Sequence, residues 1–323
     1  NHAGSLHRAK DIIYAAKESG ADCLKIQTYT PDTITMDCGN AYFQIKDGLW
    51  KGETLYQLYG KAYTPWEWQP ELKAEAEKVG IDFLSTPFDR TAVDFLEETG
   101  LDFYKIASFE LVDIPLIAYT ASKGKPMILS TGMGSYEEIA DAVTAIRQAG
   151  NEQIALLRCA SAYPAITDGM NLRTMQDMEQ AFDVLVGLSD HSQGSVGAVT
   201  AVALGAKVIE KHFCLSREIE NPDASFSMEP QEFRQMVSDV RQAERAIGTV
   251  AYGAAEQEKD NLAFRKSLFV VQDMKAGDIL SPENLRSIRP AQGMKPKYYE
   301  NVLGKAVNRD IPRGTPLSPE MIG

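Results

Sequence analysis

Short runs rich in β-branched and aliphatic residues recur along most of this chain, separated by stretches in which apolar positions return every three or four residues. Strand-length runs alternating with helix-period stretches predict βα units on a parallel sheet. Seven strands are read in this way, at residues 23–28 (CLKIQT), 81–86 (IDFLST), 103–108 (FYKIAS), 126–131 (PMILST), 153–161 (QIALLRCAS), 184–191 (VLVGLSDH) and 208–213 (VIEKHF). From Thr86 onward the strand ends fall at Ser108, Thr131, Ser161, His191 and His212, in steps of 22, 23, 30, 30 and 21 residues. That regularity predicts an α/β fold of the (β/α)8 TIM-barrel type. Seven strands leave such a barrel one short. Because a helical pattern at 6–19 follows directly on Asn1-His-Ala-Gly-Ser5, the first strand is expected upstream of Asn1, truncated from this chain.

One interval is longer than the rest. Between Gln27 and Thr86 lies an aromatic-rich insertion, residues 42–68, which would project over the face where the strands end or would simply pack there. After a long helix at 231–247 the pattern changes. Residues 249–262 read as a polar linker, and residues 263–323 as a small β-rich domain of short runs between turn signals such as Lys275-Ala-Gly-Asp278 and Pro312-Arg-Gly-Thr315. Residues 1–248 then form the barrel domain.

The composition, 44% hydrophobic and 24% charged, is that of an ordinary globular protein. A net charge of −12 argues against nucleic acid as a partner, because nucleic-acid binding needs clustered Lys and Arg. It leaves room for a small anionic substrate held by a few local cations. The cysteines at 23, 38, 159 and 214 show no CxxC spacing, which fits a reducing cytoplasm. No apolar run is long enough for a membrane span, so no membrane partner is expected.

The chemistry collects at the strand ends. His191 and His212 close consecutive strands with room for one helix between them, at residues 195–205. Both imidazoles would emerge at one edge of the sheet, an arrangement suited to a divalent metal; the bland alternative is a pair of hydrogen-bonded core histidines. Lys25 and Gln27 face the same way by strand alternation, and Lys105 occupies the corresponding place in its own strand. A lysine inside a barrel needs an anion, either a carboxylate such as Glu110 or a ligand phosphate. Hydroxyls at Thr86, Ser108, Thr131 and Ser189 favour phosphate. Gly132 and Gly134 permit close backbone approach ahead of a helix whose amides could face the same ligand.

Taken together, Asn1-His-Ala-Gly-Ser5, Lys25-Ile-Gln-Thr28, Ser85-Thr-Pro-Phe88, Tyr104-Lys-Ile-Ala-Ser108, Leu129-Ser-Thr-Gly-Met133, Gly187-Leu-Ser-Asp-His191 and Glu210-Lys-His-Phe213 resemble the sialic acid synthases over essentially the whole chain. The tail, with Arg289-Pro290 and Gly304-Lys305, resembles that family's antifreeze-like (SAF) domain. Leu55-Tyr-Gln-Leu-Tyr59, Tyr63-Thr-Pro-Trp-Glu-Trp68 and Lys105-Ile-Ala-Ser-Phe-Glu110 look most like the branch that makes pseudaminic acid. The resemblance implies condensation of phosphoenolpyruvate with the open-chain form of an N-acetylated amino sugar, which in this branch is 2,4-diacetamido-2,4,6-trideoxy-L-altrose. It implies manganese or magnesium on His191 and His212. Phosphoenolpyruvate would lie among Lys25, Thr86, Lys105, Ser108, Ser161 and Ser189. Gln27, Glu110, Tyr163 and Asp223 would line the acceptor pocket, with Glu110 and Lys105 also serving catalysis. The resemblance further implies a domain-swapped homodimer in which Arg289 reaches the partner's barrel; without it, Arg289 reads as a surface charge.

Two positions depart from the family pattern. Ala3 stands where some members carry a glutamate proposed to handle the attacking water's proton, and Ser161 where some carry asparagine. Alternatives to the synthase are neuraminate or legionaminate as the product, a Schiff-base aldolase using Lys105 or Lys25, and a non-catalytic binding protein.

Overall fold

Seven parallel strands lie side by side in chain order: β1 (Cys23–Thr28), β2 (Asp82–Pro87), β3 (Tyr104–Ile106), β4 (Met127–Ser130), β5 (Ile154–Cys159), β6 (Leu185–Asp190) and β7 (Val208–Lys211). This is the curled sheet of a (β/α) barrel. Among the described residues β1 and β7 are its two edges, so seven of the eight strands of the expected architecture are present. The computed structural model describes residues 2–161 and 165–323.

Around the sheet run α1 (Leu6–Glu18), α2 (Pro31–Ile34), α3 (Leu55–Ala62), α4 (Gln69–Val79), α5 (Arg90–Thr99), α6 (Ile114–Ala121), α7 (Tyr136–Gln148), α8 (Thr174–Phe182), α9 (Val196–Ala203) and α10 (Pro230–Ile247). Ile13, Leu96, Ile117 and Ile146 on the helices and Ile106, Leu129, Leu156 and Val186 on the strands are all fully buried in one core. Each such side chain contributes about 1.5–3 kcal/mol through removal from water. Helix boundaries follow local chemistry. The Asp89 carboxylate accepts the Thr91 and Ala92 amides at the start of α5, and Gly80 and Gly100, both left-handed, end α4 and α5.

The strand ends depart from the sequence expectation in a way that matters. The strand expected at 103–108 spans only Tyr104–Ile106, because Ser108–Glu110 turns into a 3-10 helix ahead of α6, which Asp113 caps through the Leu116 amide. The strands expected at 153–161, 184–191 and 208–213 stop at Cys159, Asp190 and Lys211. Ser161, His191 and His212 therefore sit in the loops just beyond the ladder.

The chain divides into two compact units, Asn1–Gly248 and Thr249–Gly323. In the second, β8 (Ser267–Val270) and β9 (Leu285–Ile288) pair antiparallel over a small core that includes Leu268, Val270, Leu280, Val307 and Leu317. Its one short α-helix is α11 (Tyr299–Val302). The polar stretch expected as a linker at 249–262 carries a 3-10 helix, Glu256–Phe264, whose start is closed by the Glu258 carboxylate on the Ala255 amide. No helix among the described residues is long and apolar enough to cross a membrane.

Candidate active site

Alternation along β6 and β7 stacks three cross-strand rungs at the end of the sheet. Ser189 is in register with Glu210, and Asp190 with Lys211. One step further, the His191 and His212 rings lie 5.1 Å apart between centroids, tilted by 48°. The outer two rungs face the barrel mouth and the middle one faces the helices.

Lys25 and Lys105 converge on the innermost rung. Lys25 Nζ lies 3.4 Å from Glu210 Oε1 and Lys105 Nζ 3.8 Å from Oε2, while Ser189 Oγ donates to Oε1 at 2.9 Å. The carboxylate partner of the lysines is thus Glu210 on β7, not Glu110 as considered from sequence, because the chain leaves β3 before Glu110. Lys105 is only 1% exposed and also donates to Ser130 Oγ at 2.6 Å and to the Ile106 carbonyl at 2.9 Å. Burial lowers its ammonium to about 8, with Glu210 opposing and Lys25 adding to the shift. Burial alone would raise the Glu210 carboxyl, but Lys105, Lys25 and the Ser189 hydroxyl overcome it and hold it at about 2. Two cations against one carboxylate leave the mouth positive, an environment made for an anion.

The hydroxyls sort into those that face this space and one that does not. Thr86 Oγ1 is buried with no hydrogen-bond partner, a donor awaiting an acceptor. Ser108 Oγ accepts the Gly132 amide at 3.2 Å, and Ser161 Oγ donates to Cys159 Sγ at 3.3 Å. Thr131 was expected at the mouth but donates to the Leu157 carbonyl at 3.1 Å; alternation gives the inward place on β4 to Ser130. The glycines also act differently from expectation. A Cβ on Gly132 would lie 1.9 Å from Ser161 Oγ, and one on Gly134 2.4 Å from Leu111, so both make room for side chains. At the start of α7 the Ser135 hydroxyl accepts the Glu138 amide and the Glu138 carboxylate accepts the Ser135 amide, a capping box that uses two of the amides there.

Glu110 sits in its 3-10 turn with Oε2 buried and without a hydrogen-bond partner. Burial raises its carboxyl to about 7, with its backbone hydrogen bond and Lys105 opposing. The Tyr59 phenol, from the insertion, is raised by burial and by Glu110. The insertion also meets the loop after β7, where Trp50 Nε1 donates to the Pro222 carbonyl at 3.1 Å, next to Asp223. A cavity of about 480 Å³ opens between the β1 and β7 edges and includes Lys25, Gln27, Glu210, His212 and Asp223 in its lining. Arg289 is exposed, just past β9. Tyr163 lies outside the described residues.

The two histidines suit a divalent ion. His191 Nδ1 donates to the Ala160 carbonyl at 2.8 Å, which turns Nε2 toward a ligand. Burial holds His212 well below the usual imidazole range, so its ring stays uncharged. Phe226 packs edge-on against both rings. Among the described residues no group of three His, Cys, Asp or Glu side chains converges on one point. The protein would thus supply two nitrogens and leave the other positions to water or substrate oxygen, the pattern of an open catalytic site.

Sequence reasoning missed several participants. His2 is buried at the same mouth, where Nδ1 accepts the Gly4 amide at 3.1 Å and Nε2 donates to Thr64 Oγ1 at 3.0 Å. Asp190 and Lys211 form an ion pair at 2.9 Å with side chains 0% and 1% exposed. Removing one member of such a pair costs about 3–5 kcal/mol. Cys159 stands 4.0 Å from His191 Nδ1; burial alone would raise its thiol, but hydrogen bonds from His191, Ser108 and Ser161 bring it down to about 7. The signal for Asp190 and Lys211 was available: each immediately precedes a histidine.

Residues 12–252 match the NeuB family and residues 265–323 match the SAF domain. The chain is 44% identical over 317 residues to the pseudaminic acid synthase of Campylobacter jejuni subsp. jejuni serotype O:23/36 (strain 81-176), covering 98% of this chain and 92% of that protein. It is 41% identical over 324 residues to the pseudaminic acid synthase of Helicobacter pylori (strain ATCC 700392 / 26695), covering 100% of this chain and 95% of the relative. Among solved structures, the N-acetylneuraminic acid (sialic acid) synthetase from Leptospira borgpetersenii serovar Hardjo-bovis superposes with a TM-score of 0.71 at 29% identity, covering 81% of this chain and 87% of that one.

Proposed function

This chain belongs to the NeuB family, and from that premise we infer that it is a phosphoenolpyruvate-condensing synthase, a transferase that makes pseudaminic acid from phosphoenolpyruvate, 2,4-diacetamido-2,4,6-trideoxy-L-altrose and water, releasing phosphate. The observation that carries the reading is the convergence of Lys25 and Lys105 beside the His191 and His212 imidazoles at adjacent strand ends. The specific product follows the 41–44% identity to pseudaminic acid synthases over nearly the full chain.

In the proposed reaction Lys25 and Lys105 hold the phosphate and carboxylate of phosphoenolpyruvate, with Thr86, Ser108, Ser161 and Ser189 as hydroxyl partners. Fixing two reactants in this way converts a bimolecular encounter into an oriented one. His191 and His212 would hold a divalent ion, manganese or magnesium, which when bound would supply Lewis-acid polarisation of the sugar carbonyl. The methylene carbon of phosphoenolpyruvate forms the new C–C bond with the aldehyde carbon as the carbonyl π bond breaks, which places negative charge on the aldehyde oxygen and cationic character at C2. Water then adds to C2 and gives one proton to Glu110, which passes it to the alkoxide; the C–O bond to phosphate breaks as C2 becomes a carbonyl and the remaining hydroxyl proton leaves with phosphate. Lys25 and Lys105 accompany the negative charge onto the departing phosphate. With alanine at position 3, Glu110 is the base that the proposal assigns. Gln27, Tyr163 and Asp223 are assigned to the acceptor sugar, and Arg289 to its handling across a homodimer with exchanged tails. Sedimentation equilibrium at twice 35.6 kDa fits that dimer, and a monomer at working concentration rules it out.

The test is phosphate release from phosphoenolpyruvate with manganese and, in parallel, the pseudaminate, legionaminate and neuraminate precursors. Release should require the altrose derivative and disappear on chelation. Equal release with a different precursor would reassign the acceptor, and release without sugar would refute condensation.

A further inference from the structure

We propose that the buried Asp190–Lys211 pair positions His191 and His212 for a shared divalent ion; this rests on the metal reading of those histidines. The β6–β7 ladder ends at the rung that pairs Asp190 with Lys211. Beyond it, side chains take over the connection between the two strand ends. Lys211 Nζ donates to Asp190 Oδ2 at 2.9 Å and also to the Ser192 carbonyl, while the Ser192 amide donates to Asp190 Oδ1 at 2.8 Å. Asp190 and Ser192 flank His191, so its backbone is fastened on both sides. Lys211 precedes His212, whose carbonyl accepts the Met228 amide at 2.9 Å.

Alternation explains how an ion pair facing the helices acts on rings facing the mouth. A shift of the middle rung moves both neighbouring side chains of each strand together. The pair is held from outside by α9, where a Cβ on Gly197 would lie 2.9 Å from Asp190 Oδ2 and 2.9 Å from Met170 Cε. A glycine there lets the helix close over the carboxylate. A well-packed apolar pair would serve stability at least as well as a buried ion pair. What Asp190 and Lys211 add is direction: three hydrogen bonds that fix where the two histidine-bearing backbones leave the sheet. Groups hydrogen-bonded to the ring of a metal-ligating histidine typically change metal affinity 10–100-fold, and a pair that sets both histidine backbones should act on that scale.

The experiment measures Mn2+ affinity by electron paramagnetic resonance of the free ion, alongside thermal unfolding, in the full chain. The double variant Asp190→Asn with Lys211→Gln leaves no orphaned charge. It should bind Mn2+ about 10–100-fold more weakly, regain its kcat at saturating Mn2+, and keep its affinity for phosphoenolpyruvate within twofold. Gly197→Ala keeps both charges but crowds Asp190, and should weaken Mn2+ binding by a smaller factor. His191→Ala is the control, and should lose Mn2+ binding altogether. Wild-type Mn2+ affinity in the folded double variant overturns the proposal while leaving the metal site standing. Retained Mn2+ binding in His191→Ala overturns the metal reading itself. If the double variant does not fold, Gly197→Ala decides: weakened binding supports the proposal and unchanged binding refutes it.

Discussion

At the scale of single residues, the site is governed by two groups moved toward neutrality in opposite senses. Burial raises the Glu110 carboxyl to about 7 and lowers the Lys105 ammonium to about 8. Glu110 accepts a proton only when ionised, above its value; Lys105 binds phosphate as a cation only below its own. The free-enzyme profile of kcat/KM for phosphoenolpyruvate should therefore rise through about pH 7, fall through about pH 8 and peak between them. Glu110→Gln should remove the acidic limb and lower kcat by roughly 10²–10⁴-fold, whereas Lys105→Met should chiefly raise the KM for phosphoenolpyruvate. An acidic limb that survives in Glu110→Gln would take the base role away from Glu110. Both lysines were legible in the sequence because strand alternation fixes their facing, and the histidines because each directly follows the end of an apolar run. Glu210 was not, because its contact with Lys105 joins strands far apart in the chain, whereas Glu110 lies only five residues from that lysine and drew attention by proximity. The same one-residue sensitivity exchanged Thr131 for Ser130, since a single step along a strand reverses the side chain.

At the scale of elements, the regular spacing of strand-length runs carried the parallel sheet and its chain order, and helix limits fell close to their capping signals. Strand ends were less legible. Small residues follow Ile106 and Cys159, Ala107-Ser108 and Ala160-Ser161, half-buried beyond the ladder, and residue pattern alone does not separate the last rung of a ladder from such a continuation. Residues just beyond the ladder can turn toward the mouth, as Ser161, His191 and His212 do. The glycines of 130–135 teach a related lesson. Their sequence resembles an anion-binding turn, but the following helix begins with its own capping box, and the space left by Gly132 is taken by Ser108 and Ser161.

At the scale of the whole molecule, the net charge of −12 coexists with a mouth where two lysines face one glutamate. The positive charge is local, which suits a small anion. The change of pattern near residue 248 marked the two units, while the 3-10 helix within the polar segment between them was hidden by its lack of apolar residues. Phosphate should leave by cleavage of the C–O bond after carbon–carbon bond formation at this mouth. Phosphoenolpyruvate labelled with 18O at the bridging oxygen, turned over with the altrose derivative and manganese and read by mass spectrometry of both products, tests it directly. The label should appear in the released phosphate, together with an unlabelled nonulosonic acid. Label retained in the organic product would mean P–O cleavage, pointing to hydrolysis followed by a lysine-based aldol route, and would contradict the account.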